Sequence, residues 1–178
     1  LIVSDDGKNV AAVVQSALFI TADIFAFQQG CYTPAVNGKT WDKNFVNVFE
    51  MNFSPDGQHL AAEVRTTLYD YTIAVDGQPW DKIFASVWKP KFNPVDNSVT
   101  APVQVPGGWT LARNGEIVWD GRFLQLWHHQ YSADGKTIAA IVAPKYGQQT
   151  VAVNDKPWRR TFNNLVTDLV VSPYGKRA

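Results

Sequence analysis

Three histidines, one cysteine and a recurring set of aspartates are the residues of this 178-residue chain whose types and spacing could do chemistry. His128 and His129 stand near Asp134, which suggests a metal ion; the third histidine is His59. Neighbouring residues of a strand point to opposite faces, so the His128–His129 pair is badly placed to share one ion. Structural or surface roles are expected for both. Asp42, Asp81 and Asp120 each follow a tryptophan and could be taken for a carboxylate set. They recur because the sequence around them recurs, and they read as hairpin hydrogen-bonders. Cys31 is alone, so the chain holds no internal disulfide and no Cys pair for haem or cluster attachment. A lone thiol reads as a small buried side chain, and its solitude leans toward a reducing compartment. No Ser/His/Asp spacing and no Gly-rich loop before a helix is found. The expectation is a chain with no catalytic residues, no metal and no cofactor of its own.

The tryptophans could relay electrons, but their spacing argues for packing. Trp41, Trp80, Trp119 and Trp158 are each separated by 39 residues, and Phe45, Phe84, Phe123 and Phe162 follow four residues after them. Two large aromatics held in register through four copies mark a repeat architecture. These eight residues are expected to form the repeated core, with the four tryptophans in equivalent, largely buried places. Trp109 falls outside that tryptophan column.

Around this spine lie turns with a mechanism. Ser4-Asp5-Asp6-Gly7, Ser54-Pro55-Asp56-Gly57, Asn93-Pro94-Val95-Asp96, Ser132-Ala133-Asp134-Gly135 and Ser172-Pro173-Tyr174-Gly175 combine Asp or Asn, Gly and Pro. Apolar runs follow, at Val10–Val14, Leu60–Val64 and Ile138–Val142. Second turns come at Asn37-Gly38, Asp76-Gly77, Asn114-Gly115 and Asn154-Asp155. Short runs bounded by such residues read as strands joined by hairpins. After Trp80 a long strand is expected, with Ile83, Ala85, Val87 and Lys89 on one face and Phe84, Ser86, Trp88 and Pro90 on the other. Columns at the seventh residue after each repeat tryptophan (Val48, Val87, Leu126, Leu165) and the eighth (Phe49, Trp88, Trp127, Val166) read as packing between neighbouring sheets.

The fold class expected is therefore all-β: one domain over residues 1–178, in β-propeller-like, WD40-like repeats of about 39 residues, with about four blades of three or four strands. Helix is expected in under about a tenth of residues, well below the usual share. The chain begins with Leu1 inside a strand pattern and stops where another repeat is under way, so it is expected to be part of a longer propeller. The first repeat runs longer, and the extra residues lie around Ala17–Gln28. An apolar, aromatic insertion is either a longer packed hairpin or a docking element. In the second case Phe19, Ile20, Phe25 and Phe27 are its anchors.

Sixteen basic and sixteen acidic residues give no net charge, which favours neither nucleic acid nor a membrane surface as partner. The longest apolar run is about half the roughly 20 residues needed to span a bilayer.

The combination of Gln29-Gly30-Cys31-Tyr32-Thr33, Trp41-Asp42 with Asn44-Phe45-Val46-Asn47-Val48, Leu68–Gly77 and Val166–Pro173 carries a resemblance over essentially the whole chain. It resembles the tryptophan-rich, WD40-like D subunit of the transmembrane electron-transfer (Tmc) complex of sulfate-reducing bacteria. That resemblance implies a non-catalytic, cofactor-free accessory subunit. It would lie on the cytoplasmic side of the inner membrane, held there by haem- and iron–sulfur-containing partner subunits. A free-standing propeller adaptor and a propeller enzyme with a central-channel ligand site stay open beside it.

Overall fold

Turn chemistry sets the length of nearly every strand. The computed structural model describes residues 1–17 and 29–175. The named elements are all strands, and the chain divides into two compact units, Leu1–Phe92 and Asn93–Ala178.

In the first unit, β1 (Ile2–Val3), β2 (Val10–Gln15), β3 (Tyr32–Val36) and β4 (Lys39–Thr40) make one antiparallel sheet in chain order. β5 (Asn47–Phe53), β6 (Leu60–Arg65), β7 (Tyr71–Val75) and β8 (Gln78–Pro79) make a second, followed by the short β9 (Ser86–Val87) and β10 (Lys91–Phe92). In the second unit, β11 (Val99–Val105), β12 (Gly108–Arg113) and β13 (Glu116–Ile117) form the body of a third sheet. The fourth is β14 (Gln125–Tyr131), β15 (Ile138–Lys145), β16 (Gln148–Val153) and β17 (Lys156–Pro157).

The Ser-x-Asp-Gly turns are closed boxes. The hydroxyls of Ser4, Ser54 and Ser132 donate to Asp6, Asp56 and Asp134 at 2.7, 2.5 and 2.6 Å. The same three oxygens accept the backbone N–H of Asn9, His59 and Thr137 at 2.9 to 3.0 Å. The serine bond is the main reason why the Asp6 carboxyl lies down near 2, and it lowers that of Asp134 in the same way.

The second turns are equally uniform. Asn37, Asp76, Asn114 and Asn154 all take positive φ, between 45° and 49°. Each side-chain oxygen accepts the N–H that opens the adjacent strand, at Val10, Leu60, Val99 and Ile138, all at 2.9 Å. Left-handed backbone at this place is what a two-residue hairpin demands, and Asn or Asp tolerates it.

Packing follows the repeat. Phe45, Phe84 and Phe123 are 1 %, 7 % and 5 % exposed. Each repeat phenylalanine also makes an isolated bridge, to Tyr32, Tyr71, Trp109 and Gln149 in turn. Trp109 thus belongs to a repeat column after all, the one shared with Tyr32 and Tyr71. A buried threonine column, Thr33, Thr72, Thr110 and Thr150, is also repeat-locked. Their hydroxyls donate to the carbonyls of Lys43, Lys82, Trp119 and Arg160 at 2.7 to 2.9 Å, tying each strand to the loop after its hairpin.

Several expectations need correction. The repeat tryptophans are not equivalent: Trp119 is buried, Trp41 and Trp80 are half-buried, and Trp158 is 40 % exposed. Trp158 and Phe162 precede a stretch, residues 163–175, that contributes no strand, so less of the chain lies against them. For the same reason Leu165 departs from its column: it is 75 % exposed, whereas Val87 and Leu126 are fully buried. The long strand after Trp80 is broken between β9 and β10, and Phe84, Val87 and Pro90 are the residues that turn inward. In the second and fourth sheets the ladder slips at the matching place, between Val48 and Met51 and between Trp127 and Gln130. The bulge re-aims the eighth-residue column, leaving Phe49 exposed. In the third turn the left-handed position falls on Asn97, not on Asp96.

Candidate functional site

Sheet packing in the first unit leaves a groove beside Trp41. A cluster of Ala11, Phe45, Val48, Leu60, Ala62 and Val64 joins the first two sheets. The turns are tied above it, since the Asn9 side-chain amide donates to the Gly57 carbonyl at 2.9 Å. Between these contacts opens a groove of about 500 Å³, lined by Trp41, Asp42, Lys39, Phe53, Gln58 and Asp76 among others. That is the size of a small-molecule site, with an aromatic wall and a few polar groups. Asp76 is already engaged: one oxygen accepts the Leu60 N–H at 2.9 Å and the other meets His59 Nδ1 at 2.6 Å.

A second feature of the same unit was invisible in the sequence pattern. Glu63 sits in β6 at a place where β15 has the fully buried Ile141. Burial, with the nearby Glu50 carboxylate as the lesser cause, pushes the Glu63 carboxyl up to about 7. Glu50 pairs with Lys89 at 3.3 Å, while burial, together with the charge of Lys89, lowers Lys91. Because Glu63 holds its proton more tightly folded than unfolded, its contribution to stability falls as pH rises from about 4.5 to 7. Glu63→Gln is therefore expected to stabilise the chain at pH 8 by about 1–2 kcal/mol once solvent screening is allowed for, with no gain at pH 4. Urea titrations at the two pH values measure this; an equal effect at both would contradict it.

The residues singled out from the sequence fall as follows. His128 is exposed and takes φ 50° in the bulge, while His129 is 2 % exposed, so the two are turned apart. His59 pairs with Asp76, and Cys31 is buried. Among the described residues no group of three His, Cys, Asp or Glu side chains is gathered as for a metal ion. Asp120 meets another repeat through its backbone: its N–H donates to Asp155 at 2.8 Å. Trp41 and Phe45 meet edge to face at 6.4 Å, as do Trp119 and Phe123 at 6.5 Å. Phe19, Ile20, Phe25 and Phe27 lie outside the described residues. The threonine column could have been found in the sequence, because it keeps nearly the same period as the tryptophans. Glu63 offered no such signal.

No protein-family model matches this sequence, and no curated protein matches it. Among solved structures the chain is similar to TolB from Acinetobacter baumannii, with a TM-score of 0.50 and 16 % sequence identity. The likeness covers 84 % of this chain and 39 % of that one. The fold is β-propeller-like. At this identity the likeness speaks to fold alone, and it agrees with four antiparallel, blade-like sheets of four or five strands. Among the described residues no helix is long and apolar enough to cross a membrane.

Proposed function

We propose that this propeller-like chain acts by docking and not by chemistry, as an accessory scaffold subunit of a membrane-associated electron-transfer complex of the Tmc type. The observation that carries the docking reading is the outward face of the first sheet. Val10, Ala12 and Val14 occupy the places of Leu60, Ala62 and Val64 in β6 and of Ile138, Ala140 and Val142 in β15. Those six are at most 5 % exposed, whereas Val10 is 37 % exposed and Val3, on the neighbouring β1, 52 %. In β6 that face is buried against the preceding sheet, so in the first sheet it is suited to cover by a further sheet of the same fold or by another polypeptide, and the docking reading takes the second. The repeat-locked polar groups support the same reading, since Ser, Asn and Thr are each consumed in turns and strand ties. The electron-transfer setting rests on the resemblance of the sequence. In it the chain is peripheral to the cytoplasmic face of the inner membrane, held through haem- and iron–sulfur-containing partners, with no redox centre of its own.

The test is affinity purification from a native membrane extract, read by optical spectrum and mass spectrometry. Co-purifying haem and iron–sulfur proteins, lost when Val10 and Val14 are both changed to Glu, are expected. Recovery with partners that carry neither group would favour the free-standing adaptor. Recovery alone, without any partner, would overturn docking altogether.

A further inference from the structure

Independently of the docking reading, the groove beside Trp41 combines a fixed aromatic wall with an excess of negative charge. The indole of Trp41 is held on two sides. It meets Phe45 edge to face at 6.4 Å, and a Cβ built on Gly77 would stand only 3.4 Å from its Cγ. It is not enclosed, since Trp41 is half-buried and lines the groove together with Phe53. Three charged residues share that lining, the carboxylates of Asp42 and Asp76 and the amine of Lys39. Among the described residues neither Asp42 nor Lys39 makes an ion pair, so no contact cancels either charge. Asp76 is fixed by the Leu60 N–H and by His59, one on each carboxylate oxygen. It brings charge to the groove more than vacant acceptor sites.

We infer that this groove is a binding site for a small organic cation of the quaternary ammonium class, seated against Trp41 and Phe53 with its charge facing Asp42 and Asp76. The face of an indole attracts a cation, most strongly where the contact is partly kept from water. A methylated ammonium spreads its charge over carbon-bound hydrogens and has no N–H to donate. It therefore asks for aromatic faces and a nearby carboxylate field, and not for acceptors in fixed places. Asp76, with both oxygens already bonded, supplies that field. A primary ammonium has three donors to satisfy and is served less well. Lys39 opposes the cation, and two carboxylates outweigh it. The same two carboxylates disfavour a ligand that carries one of its own. A volume of about 500 Å³ has room for such a head group with an attached alkyl or aryl arm.

The experiment uses the ¹⁵N-labelled 178-residue chain with assigned amides and indoles, titrated at low salt. The probes are choline, its neutral isostere dimethylbutanol, and glycine betaine, which keeps the trimethylammonium and adds a carboxylate. Choline is expected to give saturable shifts at the Trp41 indole N–H and the Gly77 amide. Betaine should bind about threefold more weakly or worse, and dimethylbutanol should give no saturable shift. The Trp119 indole, at 3 % exposure, should not respond. Asp42→Asn should weaken choline about threefold, and Lys39→Gln should tighten it about twofold, opposite signs that only a bound cation produces. Trp41→Leu should abolish the shift at Gly77. Asp42 and Lys39 are both exposed, so these two variants decide even if Trp41→Leu does not fold. Equal shifts with dimethylbutanol, betaine binding as tightly as choline, no saturable shift with choline, or charge changes of the same sign would overturn the inference.

Discussion

Replacing Trp119 with alanine is expected to lower stability by about 3–5 kcal/mol, and the same change at Trp158 by no more than about 1 kcal/mol. The two occupy equivalent places in the 39-residue period, so sequence alone would rank them equal. Their surroundings differ. Trp119 is 3 % exposed, packs edge to face on Phe123, and gives its carbonyl to the Thr110 hydroxyl at 2.8 Å. Removing its side chain leaves a cavity that a sheet-bound neighbourhood cannot close. Trp158 is 40 % exposed, and deleting its indole exposes little that water does not already reach. Urea unfolding of both variants measures the difference, with midpoints compared at constant slope. Equal losses would show that the tryptophan column acts as a uniform core despite its unequal exposure.

Gly108→Ala should be nearly as damaging, at about 3 kcal/mol or more. Gly108 opens β12 with φ at 136°, where L side chains rarely go. A Cβ there would lie 2.4 Å from the carbonyl oxygen of Phe123. That oxygen cannot retreat cheaply, because it accepts the Trp109 N–H at 2.7 Å, and Phe123 N–H returns a bond to Trp109 at 3.0 Å. Either the paired bonds break or the strand shifts. Gly147→Ala is the control: it also has positive φ, at 69°, but a Cβ there meets nothing within 4 Å. Only the left-handed backbone penalty of roughly 1–2 kcal/mol applies. Thermal melts of the two variants should separate clearly; a Gly108 variant as stable as the Gly147 variant would mean that the Trp109–Phe123 bridge is soft.

What could be read in the sequence was what repeats. Trp41 and Phe45 announce the period, and Asn37-Gly38 and Ser54–Gly57 announce turns whose chemistry is local. The runs Val10–Val14, Leu60–Val64 and Ile138–Val142 fell where β2, β6 and β15 are found. What could not be read depends on neighbours in space. Trp41 and Trp119 are the same residue at the same step, yet one more residue precedes Trp119, so Val118 and not Trp119 makes the backbone bond to Leu111 that Trp41 makes to Pro34, and Asp155 stands where the first unit has Gly77. Glu63 looks like an ordinary exposed strand residue until the packing around β6 half-buries it. The bulges at Phe49 and His128 broke the simple alternation because alternation assumes an unslipped ladder. The groove was missed because no single repeat contains it: Trp41 comes from one sheet and Asp76 from the next.

The hairpin at Asn114-Gly115 bears on how the protein ages. Asn followed by Gly is the sequence at which side-chain amides hydrolyse most readily, yet the turn uses only the Asn114 oxygen, which accepts the Val99 N–H at 2.9 Å. Asp76 already does the same work in the second sheet, accepting the Leu60 N–H at 2.9 Å with a carboxylate. Conversion of Asn114 to Asp therefore keeps the acceptor and adds one negative charge to a chain of net charge zero. An Asn114→Asp chain would focus at lower isoelectric point with its melting curve where it was, whereas the isoaspartyl link that ageing forms at Asn-Gly lengthens the backbone within a two-residue turn and would lower it.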